Sequence, residues 1–123
     1  MTDLAAFSGA FADLPRELMP ELSLGRSAVR TDGALVVFNW VDPPATLPLH
    51  DHPFDQLALI LAGRCVMRVG EEEHALGPGG FVYIPAGATH GLEAVGSEPV
   101  LNVDVFSPAR EDYLHLVEEQ PRG

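Results

Sequence analysis

The stretch Leu49-His50-Asp51-His52-Pro53-Phe54-Asp55-Gln56 carries the strongest structural signal in the chain. Two histidines one residue apart on a β-strand point to the same face, because side chains alternate along a strand with a period of two. A third imidazole, His90, follows the stiff turn Pro85-Ala86-Gly87 downstream. We therefore predict that His50, His52 and His90 meet on one face of a β scaffold and bind a divalent metal ion.

Composition limits the class of protein. The 123 residues suffice for one domain, and 46% hydrophobic residues with 12 Gly and 11 Pro indicate a globular fold with many turns. A net charge of −11 with seven Lys and Arg argues against nucleic-acid or anionic-membrane binding. The longest apolar run, six residues, is too short to span a membrane. Cys65 is the one cysteine and no signal-peptide pattern is present, so we expect a cytoplasmic protein.

The N-terminal segment differs in pattern from the rest of the chain. Apolar residues recur there at steps of three and four, at Leu4, Phe7, Phe11, Leu14 and Leu18. This spacing predicts one or two short amphipathic helices within residues 2–20. We interpret residues 1–20 as an N-terminal flap or arm and residues 21–123 as a single domain.

Short strands separated by turn signals follow from residue 21. We predict nine of them: Leu22–Arg30, Ala34–Val41, Thr46–His52, Gln56–Leu61, Arg64–Val69, Glu73–Leu76, Phe81–Ile84, Thr89–Val95 and Val100–Phe106. Asp32-Gly33 favours a type I′ hairpin turn. Ser107-Pro108 favours the start of a C-terminal helix that runs to Glu119 and is ended by Pro121. Nine short strands without a long helix predict an all-β sandwich or barrel.

Two spaced motifs identify a family resemblance. The first, Gly-x5-His-x-His-x3,4-Glu-x6-Gly, is matched by His50, His52 and Gly63, and the second, Gly-x5-Pro-x-Gly-x2-His-x3-Asn, by Gly79, Pro85, Gly87 and His90. Pro44 and Ala94 replace the first glycine and the last asparagine, and Gln56 replaces the glutamate. Over about residues 30–106 the chain resembles the cupin superfamily. The resemblance implies a single-domain double-stranded β-helix, or jelly-roll barrel, with a metal site.

Gln56 changes the expected chemistry of that site. Three imidazoles and a neutral amide leave the full charge on a divalent ion, which then attracts anionic ligands. Asp55 is a rival ligand, but it would face the other way on a regular strand, so we favour Gln56. The donor set admits Zn, Ni, Fe, Mn or Co. His74 and His115 belong to neither motif, and we expect both to face solvent.

The last strand alternates between two faces, which the pattern alone does not assign to the inside or outside. Leu101, Val103 and Val105 share one face, and Asn102, Asp104 and Phe106 share the other. The segment from Asp104 to Tyr113 closely resembles the end of the small cupins of pectin and alginate degradation, which convert 4,5-unsaturated uronates to linear keto sugars. That resemblance implies that Asp104, Phe106 and Arg110 lie beside the metal, with Asp104 as acid/base and Arg110 directed towards the substrate carboxylate.

Our leading hypothesis is a metal-dependent, non-redox lyase or isomerase that acts on a small anionic, sugar-acid-like substrate. One alternative is a dioxygenase or polyketide cyclase, whose flat substrate would suit a pocket lined by Phe38, Trp40 and Tyr83 if these face inward. Another is a cupin that binds a small acid without catalysis. Aliphatic residues on both faces of Leu57–Leu61 lead us to expect a homodimer.

Overall fold

The computed structural model describes residues 4–118 and 120, and the predicted helix end at Glu119 and Pro121 lies outside them. This part of the chain contains ten strands: β1 (Glu17–Met19), β2 (Leu24–Arg30), β3 (Leu35–Val41), β4 (Thr46–His50), β5 (Gln56–Ala62), β6 (Arg64–Val69), β7 (Glu72–Leu76), β8 (Phe81–Ile84), β9 (His90–Val95) and β10 (Val100–Phe106). The helices within it are short 3₁₀ turns: Phe11–Asp13, Pro20–Leu22 and Glu111–Val117. The all-β prediction is confirmed.

Two antiparallel sheets form a jelly roll. The six-stranded sheet has the order β1-β2-β3-β10-β5-β8, and the four-stranded sheet has the order β4-β9-β6-β7. Aliphatic side chains such as Val41, Ile60, Ile84 and Val100 are fully buried in the main core. A second buried cluster, around Phe106, lies under the C-terminal 3₁₀ helix. Burial of these side chains supplies most of the free energy that stabilises the sandwich.

The turn between β5 and β6 shows why the motif glycine is needed. Gly63 has a φ of +74°, which L-residues with side chains rarely adopt. A Cβ at this position would lie 2.5 Å from the carbonyl oxygen of Pro99 and 2.8 Å from the Cα of Val100. Only glycine fits, because the turn packs directly against the backbone that leads into β10.

The N-terminal helices predicted within residues 2–20 are wrong for the described part of that segment. A short 3₁₀ turn and β1 occur there instead, and β1 pairs with β2 at the edge of the larger sheet. Phe7, Phe11 and Leu14 of this pattern line a groove against β2 and β3, and the ring of Phe11 stacks on that of Phe38 at 4.8 Å. The periodicity therefore reflects contact of an extended arm with the outer face of the sheet.

Two turn predictions also need correction. The hairpin at Asp32-Gly33 exists, but neither residue has a positive φ, so the turn is not type I′. The C-terminal helix begins at Glu111, after Arg110, and does not begin at Ser107. The Ser107 hydroxyl donates to the carbonyl of Gly33 at 2.7 Å and so ties the end of β10 to the hairpin.

Several large apolar side chains remain exposed on β5 and β8, namely Leu57, Leu61, Phe81 and Tyr83. The homodimer expected from the sequence stays a prediction. No helix in the described residues has the length and apolar character needed to cross a membrane.

Candidate metal centre and its pocket

Three histidines converge at one mouth of the jelly roll, as the sequence predicts. His50 ends β4 and pairs with His90, the first residue of β9. His52 lies in the loop beyond β4, so the strand predicted through His52 is wrong, and the pairing of β4 shifts register between Leu47 and His50. One ring nitrogen from each histidine lies within 4.8 Å of the others. Two ligands of one zinc ion are at most about 4.2 Å apart, so small side-chain shifts bring this set together.

The backbone orients all three imidazoles in the same way. Each Nδ1 donates to a carbonyl oxygen two residues away: His50 to Pro48 at 3.0 Å, His52 to Phe54 at 2.8 Å, and His90 to Ala88 at 2.8 Å. A carbonyl can only accept, so the proton belongs on Nδ1 and the lone pair on Nε2. This is the tautomer that metal-binding histidines adopt when a second group holds their other nitrogen.

Gln56 completes the donor set. Its side chain is buried, and its Oε1 lies 2.9 Å from Nε2 of His52. Because Nδ1 of His52 already carries the proton, Nε2 and Oε1 face each other with their lone pairs, an arrangement that a shared cation stabilises. Asp55 is exposed and accepts a hydrogen bond from the Tyr83 hydroxyl at 3.1 Å. The geometry therefore favours Gln56 over Asp55 as the fourth ligand.

The donor atoms fit a divalent transition-metal ion. Nε2 of His90 is buried and has no hydrogen-bond partner among the described residues, which is costly unless a ligand or ion accepts its lone pair. Burial also lowers the pKa of His90, which favours the neutral form that binds metals. We call His50, His52, His90 and Gln56 the histidine wall.

A hydrogen-bonded acid lies beside Gln56, on the inner face of the six-stranded sheet. Asp104 accepts hydrogen bonds from the amides of Asn39 and Asn102, each at 3.0 Å. Removal from water raises the pKa of Asp104 to about 6, although hydrogen bonds from Asn102, Asn39 and Gln56 and the charge of Arg110 oppose the shift. Asp104 is therefore a carboxyl group that can gain or lose a proton near neutral pH.

Arg110 lies beside this acid in an aromatic cage. The guanidinium carbon is 3.8, 4.8 and 5.0 Å from the ring centres of Tyr113, Phe106 and Phe54. The guanidinium also donates two hydrogen bonds to Asp112, from Nε at 2.9 Å and from Nη2 at 2.6 Å, which lowers the pKa of Asp112. Arg110 is buried but lines the cavity, so its position is fixed before any ligand arrives.

His50, His90 and Gln56 of the histidine wall line a cavity of about 260 Å³. Asn39, Asn102, Asp104 and Arg110 form the side that we call the polar wall. Phe106 also lines the cavity, but it is 1% exposed and its ring packs edge-on against His52 at 5.9 Å. It therefore has little surface to offer a substrate and instead supports the groups on either side.

The aromatic lining suggested by Phe38, Trp40 and Tyr83 is wrong, because none of the three lines this cavity. Phe38 and Trp40 point to the outer face of β3, where Phe11 and Arg16 cover them. Tyr83 is 54% exposed on β8. The inward-facing row of β3 consists of aliphatic residues and one polar residue, Asn39.

Three polar residues are not identified from the sequence, two that line the pocket and one that holds Arg110. Asn39 interrupts an otherwise aliphatic inward row in β3, and this break in the pattern is a signal that could have been used. Arg26 lines the same cavity from β2, and Asp112 holds Arg110 from the C-terminal helix. Nothing in the local sequence of Arg26 or Asp112 distinguishes them from surface charges. His74 and His115 lie outside the three-histidine cluster and contact Glu72 and Glu17 respectively.

A two-sheet jelly roll that directs three imidazoles and an amide into its mouth defines a metal-binding β-barrel protein, and this cluster points to a divalent ion. The family model described as Cupin domain matches residues 40–106, so the chain belongs to the cupin family. No curated protein sequence matches the chain.

Solved structures support the same assignment. The structure of KdgF from Halomonas sp. is 25% identical, with a TM-score of 0.74 over 87% of this chain and 100% of that one. An RmlC-like cupin from Shewanella frigidimarina is 22% identical, with a TM-score of 0.78 over 91% and 99%. The polyketide cyclase RemF from Streptomyces resistomycificus is 18% identical, with a TM-score of 0.74 over 87% and 82%. The chain is a small single-domain cupin that resembles the pectin-degradation cupins.

Proposed function

We propose that the protein is a metal-dependent enzyme, a non-redox lyase or isomerase that acts on a small sugar acid. The observation that carries this proposal is the presence of Asp104 and Arg110 in the same cavity that His50, His90 and Gln56 line. Arg110 offers a planar cation that recognises a carboxylate, and Asp104 offers a proton-transfer group. A divalent ion held by the histidine wall would supply an electrophile for a substrate oxygen.

The unsaturated uronates of pectin and alginate degradation are the first substrates to test. Similarity to KdgF at 25% identity and the motif resemblance of the Asp104–Tyr113 segment support this choice. In the expected isomerisation, the bond between C1 and the ring oxygen breaks as the anomeric hydroxyl loses its proton, and C4 gains a proton. Asp104 is placed to carry that proton, while Arg110 holds the carboxylate. The product has the same atoms as the substrate.

Gln56 has a specific place in this proposal. Its carbonyl oxygen faces the histidines, while a hydrogen bond from its side chain lowers the pKa of Asp104. A glutamate at this position would place a second negative charge beside Asp104 and would have no N–H to donate. The amide thus links the metal ligands to the acid without repulsion.

The test is to incubate the metal-loaded protein with 4,5-unsaturated galacturonate and to follow the ultraviolet absorbance of the double bond. The proposal predicts loss of absorbance that depends on enzyme concentration and stops when the metal is removed with a chelator. An unchanged trace from protein of confirmed metal content would reject this substrate. If a panel of other unsaturated or hydroxylated sugar acids also gave no turnover, the proposed reaction class would be wrong.

The alternatives from the sequence have less support in the geometry. A dioxygenase or cyclase for flat aromatic substrates would benefit from an aromatic pocket, and Phe38, Trp40 and Tyr83 do not line this one. Oxygen consumption with phenolic substrates would favour that alternative. A binding protein without catalysis would hold the sugar acid but never convert it.

A further inference from the structure

A second guanidinium faces the cavity from the strand next to Asn39. Arg26 on β2 pairs in register with Asn39 on β3, which pairs with Asn102 on β10. The three residues form a polar row across the inner face of the sheet, and all three line the cavity. The side chain of Arg26 is only 13% exposed, so it is a largely buried cation and not part of the solvated surface.

Tyr113 holds Arg26 and Arg110 close together. The guanidinium carbon of Arg26 is 4.4 Å from the centre of the Tyr113 ring, and that of Arg110 is 3.8 Å from the same point. The two guanidinium carbons therefore lie no farther apart than the sum of these two distances. A small molecule in the cavity can contact both cations at once.

The acidic partners of the two arginines lie nearer the solvent than the arginines themselves. Glu17 pairs with Arg26 and Asp112 pairs with Arg110, with side chains 37% and 53% exposed against 13% and 7% for the arginines. Neither acid lines the cavity. Water screens the exposed carboxylates more than the buried cations, so the two arginines keep positive charge available in the cavity beside the single carboxyl group of Asp104.

Arg26 also has unused hydrogen-bonding capacity. Its Nε is buried and has no hydrogen-bond partner in the described part of the chain, and its ion pair with Glu17 uses Nη2. A buried guanidinium with an unpaired donor is unfavourable unless a ligand or a small rearrangement satisfies it.

We propose that Arg26 is a second anion-binding residue, and that the pocket prefers small sugar acids carrying two anionic groups over those carrying one. The inference rests on the proposed function for the first carboxylate, which Arg110 binds, and adds a second group at Arg26. The substrate class is then a sugar acid that carries a second anionic group besides its uronate carboxylate and keeps the anomeric hydroxyl that the proposed isomerisation requires.

The test compares two sugar acids that differ mainly at one end. Zinc-loaded protein is titrated calorimetrically with galactonate, which has one carboxylate, and with galactarate, which has two and is open-chain like galactonate. A charge-assisted hydrogen bond changes affinity by about tenfold or more. We expect galactarate to bind about tenfold more tightly than galactonate, and Arg26→Gln to remove this difference by weakening galactarate alone.

Two further variants keep the test decisive. Arg68→Gln removes an exposed arginine paired with Glu73, outside the cavity, and should leave both affinities unchanged. Glu17→Gln keeps Arg26 but removes its counter-charge, so galactarate should bind about threefold more tightly. This variant remains informative if Arg26→Gln does not fold.

The outcomes separate the two proposals. Equal affinities in the wild type, an equal loss of both ligands in Arg26→Gln, or no effect of Glu17→Gln would overturn the role of Arg26 while leaving the proposed function intact. Failure of both sugar acids to bind a correctly folded, zinc-loaded protein would overturn the inference, whereas the proposed function is decided separately by the absorbance assay with 4,5-unsaturated galacturonate.

Discussion

The histidine wall and the polar wall face the same cavity but are held by different kinds of contact. Each imidazole is fixed by a backbone carbonyl two residues away. Asp104, by contrast, is fixed by side-chain amides of Asn39 and Asn102, of which Asn39 lies 65 residues away in sequence. The orientation of each imidazole is thus local in origin, although the pairing of β4 with β9 brings His90 to His50, whereas Asp104 is held only when β3 and β10 are paired.

This difference suggests a division of tasks. Backbone contacts give the histidines a rigid geometry, which a metal site with a defined ligand set requires. The polar wall is a network in which each member depends on its neighbours, and this suits recognition and proton transfer. Substitutions in the histidine wall should therefore abolish metal binding. Substitutions in the polar wall should change turnover while the metal stays bound.

The largest effect is expected for His52→Ala. This variant removes a donor from the centre of the set, next to Gln56 and His90, so we expect turnover to fall at least about a thousandfold as the metal is lost. Activity with and without added zinc measures the effect. His74→Ala is the matched control, because His74 lies outside the cluster, and it should behave as wild type. Full activity in His52→Ala would show that the histidine wall takes no part in the reaction.

Asp104→Asn should reduce kcat by about a hundredfold or more, because the amide preserves shape but cannot transfer the proton. Metal content, measured by elemental analysis, should stay at the wild-type level. If the metal were lost together with activity, the proposed division of tasks between the two walls would be wrong. If kcat were unchanged, Asp104 would not be the acid/base.

Arg110→Lys should raise KM by about tenfold and change kcat less. Lysine keeps the charge but loses the planar fork that both holds Asp112 and binds a carboxylate, and it loses stacking on Tyr113. Steady-state kinetics separate the two parameters. Arg68→Lys, at an exposed pair, serves as the control. A loss confined to kcat would instead indicate a role for Arg110 in the chemical step.

Asn39→Ala should have the smallest effect, a decrease in kcat of about three- to tenfold, as expected for one lost hydrogen bond. The Asn39 amide favours the ionised form of Asp104, so its removal raises the pKa of that carboxyl. If the reaction requires the carboxylate, activity is lost as the pH falls through this pKa, and the acidic limb of the pH profile moves to higher pH. An acidic limb that stays in place or moves to lower pH would contradict this coupling.

The sequence was sufficient for the histidine wall because its determinants lie in two short segments, each with a recognisable local spacing. His50, His52 and Gln56 lie within seven residues, and His90 follows a turn in which the Gly87 N–H donates to the His52 carbonyl at 2.8 Å. Local spacing and the motif resemblance therefore predicted which residues meet. Strand positions were predicted well for the same reason, since each strand is bounded by local turn signals.

The polar wall could be predicted only in part. Asp104 and Arg110 came from a family resemblance, but the partners Asn39, Arg26 and Asp112 did not. The orientation of β3 was misassigned because both of its faces are largely apolar. The N-terminal arm covers one of these faces, which is therefore the outer one. Phe11 covers Phe38 on the outer face, and this contact between distant segments leaves no mark on the alternation within β3.

The most direct test of the account is the number of ions that the chain binds. Chelator-treated protein is dialysed against zinc, freed of excess metal and analysed for zinc per chain, beside the triple variant His50→Ala, His52→Ala, His90→Ala. We predict one zinc per wild-type chain and none in the triple variant. Wild-type protein that retains no more zinc than the triple variant would contradict a metal centre at these three histidines.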